Sequence, residues 1–125
     1  MKNIIQAQNA PKSAGPYSQA VKAGNFLFIS GQLAIDTKQG KIVAQDIAGQ
    51  TKQVIENIKA ILQEASYSIK DVVQTNVYLS AMVLFKEFNE EYAKHFTSDY
   101  PALVTVAAEL PVNGLVEIAA VAYKE

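Results

Sequence analysis

Residues 115–123, LVEIAAVAY, constrain this chain more than any other stretch, because they read as a β-strand that is apolar on both faces of its alternation. Such a strand has to be covered from both sides. A chain of 125 residues builds one core, so residues 1–125 are read as a single domain, and its pattern supplies two amphipathic helices. Two helices cover one face of a sheet. The other face then needs a second subunit, since otherwise the chain would expose an apolar patch too large for a monomer. A homo-oligomer is expected.

The remaining elements follow from periodicity and punctuation. Tyr17 to Lys22 and Phe26 to Leu33 are rich in strand formers and flank Ala23-Gly24-Asn25, a hairpin turn. Asp36 to Lys41, with Gly40, forms a second turn before a short extended piece at Ile42 and Val43. Asp46 is a good N-cap for a helix carrying Ile47, Thr51, Val54, Ile55, Ile58, Ile61, Leu62 and Ala65 on one side. Lys52, Glu56, Lys59 and Gln63 mark its wet side. Val72 to Leu79 reads as a strand with Val73, Thr75, Val77 and Leu79 on one face. Leu84, Phe85, Phe88, Tyr92 and Phe96 define a second helix, with Asn89 beside its apolar face and Lys86, Glu87, Glu90, Glu91 and Lys94 toward water. After Pro101 come strands at Leu103 to Ala108 and Leu115 to Tyr123, giving the order β-β-α-β-α-β-β.

Composition removes several classes of function. With 50% hydrophobic and 18% charged residues the chain buries enough apolar surface to fold. Its net charge of −1, from 11 basic and 12 acidic residues scattered along the sequence, leaves no footprint for nucleic acid or an anionic membrane. Cysteine is absent, which excludes disulfides and thiolate chemistry. The opening residues lack the apolar stretch of a signal peptide and no run is long enough to span a bilayer, so a cytoplasmic location is expected. His95 is the one histidine and is read as a solvated residue at a helix end, so no metal site is expected. No phosphate-binding glycine loop, nucleophile elbow or zincin helix is present.

Glu117 is the residue most suggestive of chemistry. A carboxylate between Val116 and Ile118 in a buried strand must be paired, hydrogen-bonded or raised in pKa toward general acid–base work. The plainer alternative is a carboxylate at a subunit interface or sheet edge. Tyr17-Ser18-Gln19 and Ser30-Gly31-Gln32 stand at strand ends, where a ligand reaches backbone groups and Gly31 permits close approach, or where a bulge needs a small residue. All 11 basic residues are lysines; the chain contains no arginine.

Taken together, NAPKSAGPYSQAV (9–21), GNFLFISGQL (24–33), QTKQVIENIKAILQEA (50–65), FNEEYAKHF (88–96), and the PA, LP and VEI strings near the end resemble the Rid/YjgF family of reactive-intermediate deaminases, formerly called endoribonuclease L-PSP. The resemblance implies an α+β, chorismate-mutase-like fold: a mixed sheet with two helices packed on one face, assembled as a homotrimer with ligand clefts between subunits. It implies hydrolysis of 2-imino acids, such as 2-iminobutanoate, to 2-keto acids and ammonia, without metal or organic cofactor. Glu117 matches the family's water-positioning glutamate. Tyr17, Ser30, Gly31 and Asn89 match its cleft residues, and Thr105 falls at a further cleft position.

The family's substrate-binding arginine has no counterpart. Where the pattern reads Pro-Ala-Arg, this chain reads Pro101-Ala102-Leu103; the stretch to Leu110-Pro111 is one residue shorter, so alignment back from there puts Ala102 in the slot instead, and an identical subunit cannot supply an arginine either. Losing a bidentate clamp on a desolvated carboxylate costs roughly 2 to 5 kcal/mol, so deaminase activity is expected to be weak or altered. Lys12 or Lys41 would substitute only as a flexible point charge. With Leu103 lining the cleft, the expected ligand is an imino or keto acid or a less acidic analogue, and an apolar or uncharged one fits better. The alternative expectation is a non-catalytic trimer binding a small metabolite or a partner protein on the same scaffold.

Overall fold

Helix α1 (Ile47–Glu64) carries a buried stripe of Ile47, Val54, Ile55, Ile58, Ile61 and Leu62, while Lys52, Glu56 and Gln63 remain exposed. In the computed structural model, which describes all 125 residues, this stripe lies on a sheet. The strands are β1 (Lys2–Ile5), β2 (Ala20–Ala23), β3 (Phe26–Gln32), β6 (Val72–Leu79), β7 (Ala102–Ala107) and β8 (Val116–Tyr123). They lie in the order β1-β2-β3-β8-β6-β7, and β4 (Ile35–Asp36) with β5 (Lys41–Ile42) forms a separate small hairpin. All pairings are antiparallel except β6 with β7, whose parallel arrangement requires the crossover that α2 (Phe85–Tyr92) occupies. The fold is therefore α+β, a mixed sheet with both helices on one face.

Between helices and sheet, Leu27, Ile29, Val77, Leu79, Val116, Ile118 and Phe88 are buried together with the α1 stripe. Full burial of each such side chain contributes about 1.5 to 3 kcal/mol, which is why these positions fix strand register. Polar ties then orient the ends. The Asn57 amide donates to the carbonyls of Leu33 (3.1 Å) and Ile35 (3.0 Å), clamping the end of β3 to α1. Gln50 accepts from the Leu115 N–H at 2.9 Å, fixing the start of β8 two residues before Glu117.

Several local expectations are corrected. β1 goes unpredicted because KNII is too short and polar at its start to show a period, and it forms only by pairing with β2. β2 starts at Ala20 rather than Tyr17, whose N–H closes a tight turn on the Gly15 carbonyl at 2.8 Å. Val73 faces solvent, because a register shift between Val72 and Gln74 turns Val72 inward; alternation holds from Thr75 onward. Asp46 stands at the α1 N-cap position without a side-chain capping bond. Glu91, expected in water, is buried, and His95, expected to be solvated, is mostly enclosed: its Nε2 lies 2.7 Å from a Glu91 carboxylate oxygen. The pair sits one helical turn apart, so each satisfies the other where α2 meets its following loop.

The sheet face away from the helices is uncovered within the chain. Phe26 and Phe28 of β3, Tyr123 of β8, and Val104 and Val106 of β7 are all exposed, and Phe26 packs against both Phe28 and Tyr123. The doubly apolar character of β8 is thus matched by helices on one side only. No helix is long and apolar enough to cross a membrane.

Candidate functional site

A bulge in β3 builds the centre of the site. Ile29 pairs with Ala120 and Gln32 with Ile118, so Ser30 and Gly31 together oppose the single residue Ala119. Such an insertion bends the strand and redirects its backbone. Here it brings Gly31 against the side chain of Glu117 on the neighbouring strand: a Cβ on residue 31 would meet the Glu117 Oε2, with Cδ at 3.0 Å. Glycine is required there by space. The Glu117 carboxylate makes no ion pair, and burial pushes its pKa above the ordinary carboxylate value. An acidic group held this way is a better proton acceptor than a solvated one.

Gly31 also lines a cleft of about 270 Å³ whose other walls include Lys12, Tyr17, Gln32, Leu33 and Val112. Tyr17 is 53% exposed, and its hydroxyl accepts from the Ala14 N–H at 3.2 Å, so its ring is fixed at the mouth with one face open. Ser30, expected among the cleft residues, is next to Gly31 but not itself in the cleft lining; its hydroxyl donates to the Ser18 carbonyl at 2.6 Å and holds β3 to the segment before β2. Val112 has a left-handed backbone (φ 50°), a strained conformation for a β-branched residue, at the rim of the same cleft.

Gln19, singled out with Tyr17 and Ser18 as part of a polar strand-end cluster, is the buried organiser of this wall. Its side chain accepts from the Ala7 N–H (2.6 Å) and donates to the Ala7 (3.2 Å) and Pro11 (2.7 Å) carbonyls. A polar cluster at a strand end is legible in the sequence, but the backbone groups of Ala7, Ala10 and Pro11 that this amide ties together are not.

The other expected residues form a second group elsewhere. Asn89 is exposed on α2, Leu103 is 40% exposed, and Thr105 stands two residues beyond it on edge strand β7. Leu103 pairs with Thr75 and Thr105 with Val77, which places both on the helix side of the sheet. The Thr105 hydroxyl is buried without a hydrogen-bond partner. In the sheet order β3 and β7 are separated by β8 and β6, roughly 14 Å at ordinary strand spacing. Glu117, on β8, has only β6 between it and β7, but it alternates with the buried Val116 and Ile118 and so faces the open side of the sheet, opposite Leu103 and Thr105. The candidate groups Tyr17–Gly31–Glu117 and Asn89–Leu103–Thr105 therefore do not meet within one chain.

Another cleft, of about 310 Å³, lies between Lys70, His95, Asp99 and Pro101 and contains none of the expected site residues. No group of three or more metal-ligating side chains occurs.

A family model described as Endoribonuclease L-PSP matches residues 7–124. A RutC family protein of Pyrococcus horikoshii is 56% identical, with both chains covered in full. Reactive Intermediate Deaminase A of Arabidopsis thaliana, a chloroplastic protein, is 39% identical over 97% of this chain and 65% of its own length. Among solved structures, Escherichia coli TdcF with bound serine superposes with a TM-score of 0.94 at 34% identity, covering 98% of this chain and 99% of that one.

Proposed function

The chain belongs to the Rid/YjgF family, and from that premise we propose that it hydrolyses 2-imino acids to 2-keto acids and ammonia, with activity weakened by the absence of an arginine clamp. The observation that carries this reading is Glu117, an unpaired, partly desolvated carboxylate seated behind a glycine at a cleft of small-metabolite size. The carboxylate takes a proton from water as the water oxygen bonds to the imine carbon. The carboxylate passes that proton to the imine nitrogen, giving a carbinolamine; it then takes the hydroxyl proton as the carbon–oxygen double bond forms and delivers it to the nitrogen, which leaves as ammonia. Overall, imine plus water becomes ketone plus ammonia. A carboxylate with its pKa raised by burial suits both steps, because it is a stronger proton acceptor than a solvated carboxylate and still returns the proton.

Assembly belongs to the same proposal. A homotrimer juxtaposes the Tyr17–Gly31–Glu117 half of one copy with the Asn89–Leu103–Thr105 half of the next and covers the open apolar sheet face. The separation of the two halves within one chain and the exposure of Phe28, Val104 and Val106 support it. The bound serine of TdcF supports a small amphoteric ligand.

The second reading is a non-catalytic binder of a small metabolite or partner, favoured by Leu103, an apolar side chain where the family pattern has its clamp. The test generates 2-iminobutanoate or 2-aminoacrylate in situ and follows keto-acid release. Acceleration by the wild type that disappears in Glu117→Ala supports the hydrolase; no acceleration by the wild type leaves the binder.

A further inference from the structure

The segment that forms one wall of the cleft is held at both ends. Near its start, the buried Gln19 amide donates to the Pro11 carbonyl at 2.7 Å; near its end, the Ala14 N–H donates to the Tyr17 hydroxyl at 3.2 Å. Lys12 lies between these two ties, so its Cα is fixed while its stem is exposed. It is the only lysine lining the Gly31 cleft, and it also lines the adjoining groove formed with Ile5, Ser13 and Tyr17. The ion pairs of the chain employ Lys59, Lys94 and His95, which leaves the Lys12 ammonium without a protein counter-charge. Behind Gly31, which lines the cleft, stands Glu117, whose negative form repels an anionic guest. A carboxylate entering this cleft is favoured by a compensating cation, and within one chain Lys12 is the cation that lines it.

We infer that Lys12 is the specificity-determining cation of the site, anchoring the carboxylate of a 2-oxo or 2-imino acid where the chain has no arginine. The inference rests on the proposed reading of the cleft but concerns recognition rather than turnover. An ammonium on a four-carbon stem is a point charge without the planar fork of a guanidinium, so it confers charge selectivity with little orientation. The signature of its loss is a raised KM with a smaller change in kcat. Its binding should also weaken as salt increases, because the ammonium is exposed.

Binding of 2-oxobutanoate, an unreactive product, tests this without requiring catalysis. Amide chemical shifts of the folded, assembled protein are titrated with 2-oxobutanoate and with its uncharged analogue 2-oxobutanamide, for wild type, Lys12→Met, Lys12→Arg, Lys41→Met and Lys86→Met. Lys86 is included because it lies one turn before Asn89 on α2 and would face the cleft from a neighbouring copy. The expected result is about tenfold weaker 2-oxobutanoate binding in Lys12→Met, retention in Lys12→Arg and the other two variants, and little discrimination between keto acid and amide once Lys12 is lost. Equal binding by wild type and Lys12→Met, a loss confined to Lys86→Met, or no binding of 2-oxobutanoate by the wild type overturns the inference. Lys12-dependent binding in a protein that does not accelerate imine hydrolysis overturns the deaminase reading and leaves the anchor standing. Imine hydrolysis with an unchanged KM in Lys12→Met does the reverse.

Discussion

Glu117 and Gly31 touch across the β8–β3 ladder, and the contact exists because a bulge gives β3 an extra residue at that point. Gly31→Ala therefore displaces a carboxylate oxygen, the far end of a flexible side chain, without forcing two backbones apart. The expected outcome is a near-normal melting temperature with kcat for imine hydrolysis reduced at least tenfold, because a water-activating group moved by about 1 Å loses its alignment. A strongly destabilised Gly31→Ala with full specific activity would show that the glycine serves the fold alone.

The raised pKa of Glu117 fixes the sign of two pH dependences. Burial makes the folded chain hold this proton more tightly than the unfolded chain, whose reference is 4.5, so the ionised form costs stability at neutral pH. Glu117→Gln should accordingly melt higher than wild type at pH 7, with the advantage shrinking as pH falls through the folded value and vanishing below 4.5. In activity the acid limb of kcat/KM should inflect above 4.5, since the protonated group no longer accepts a proton from water. Thermal scans and rate profiles over pH 4 to 8 check both.

Leu103→Arg restores a guanidinium at the position from which the family pattern grips its substrate. Leu103 is 40% exposed on an edge strand, so the substitution leaves the core intact. Activity on 2-iminobutanoate should rise by roughly thirtyfold to several thousandfold, and the gain should vanish in the double variant with Glu117→Ala. A gain independent of Glu117 would point to a different catalytic group.

Much of this was legible in the residues. The α1 stripe, the Gly24 hairpin and the span of β6 follow from periodicity and turn chemistry, since local pattern and tertiary packing agree there. Glu117 was visible as a charge inside an apolar strand. Its contact with Gly31 was not, because a bulge is set by the pairing of two strands far apart in the sequence. The anchoring role of Gln19 and the Glu91–His95 pair were not legible for a related reason: their partners are backbone groups of a distant loop in one case and a helix end folded back on itself in the other. The division of the site into two halves depends on strand order, which alternation does not encode.

Assembly is tested at the open sheet face. Phe28 is 47% exposed there and pairs with Val121 on β8, so Phe28→Glu adds a charge to the surface expected to be covered by neighbours without altering the helix-side core. Sedimentation of the wild type should give three times the 13.6 kDa chain mass, and Phe28→Glu should shift the population toward single chains. Loss of imine hydrolysis should accompany dissociation, because Asn89 and Leu103 then no longer reach Glu117. A fully active monomer would contradict the shared cleft.

The Glu91–His95 pair gives the fold an acid-sensitive joint remote from the cleft. Burial alone would raise the Glu91 pKa, but hydrogen bonds from His95 and Lys94 outweigh it and hold the carboxyl below its ordinary 4.5. A depressed carboxyl stabilises the folded chain above the unfolded value, and that contribution is lost as pH falls through the folded value. Glu91→Gln should cost about 1.5 to 3 kcal/mol at pH 6, the range for hydrogen bonds to charged groups. The difference from wild type should narrow once pH falls below 4.5 and toward the lower folded value, as the native carboxyl is also protonated. Urea titrations at pH 6 and pH 3 measure this directly, and an equal deficit at both would mean that the side chain acts through packing rather than charge.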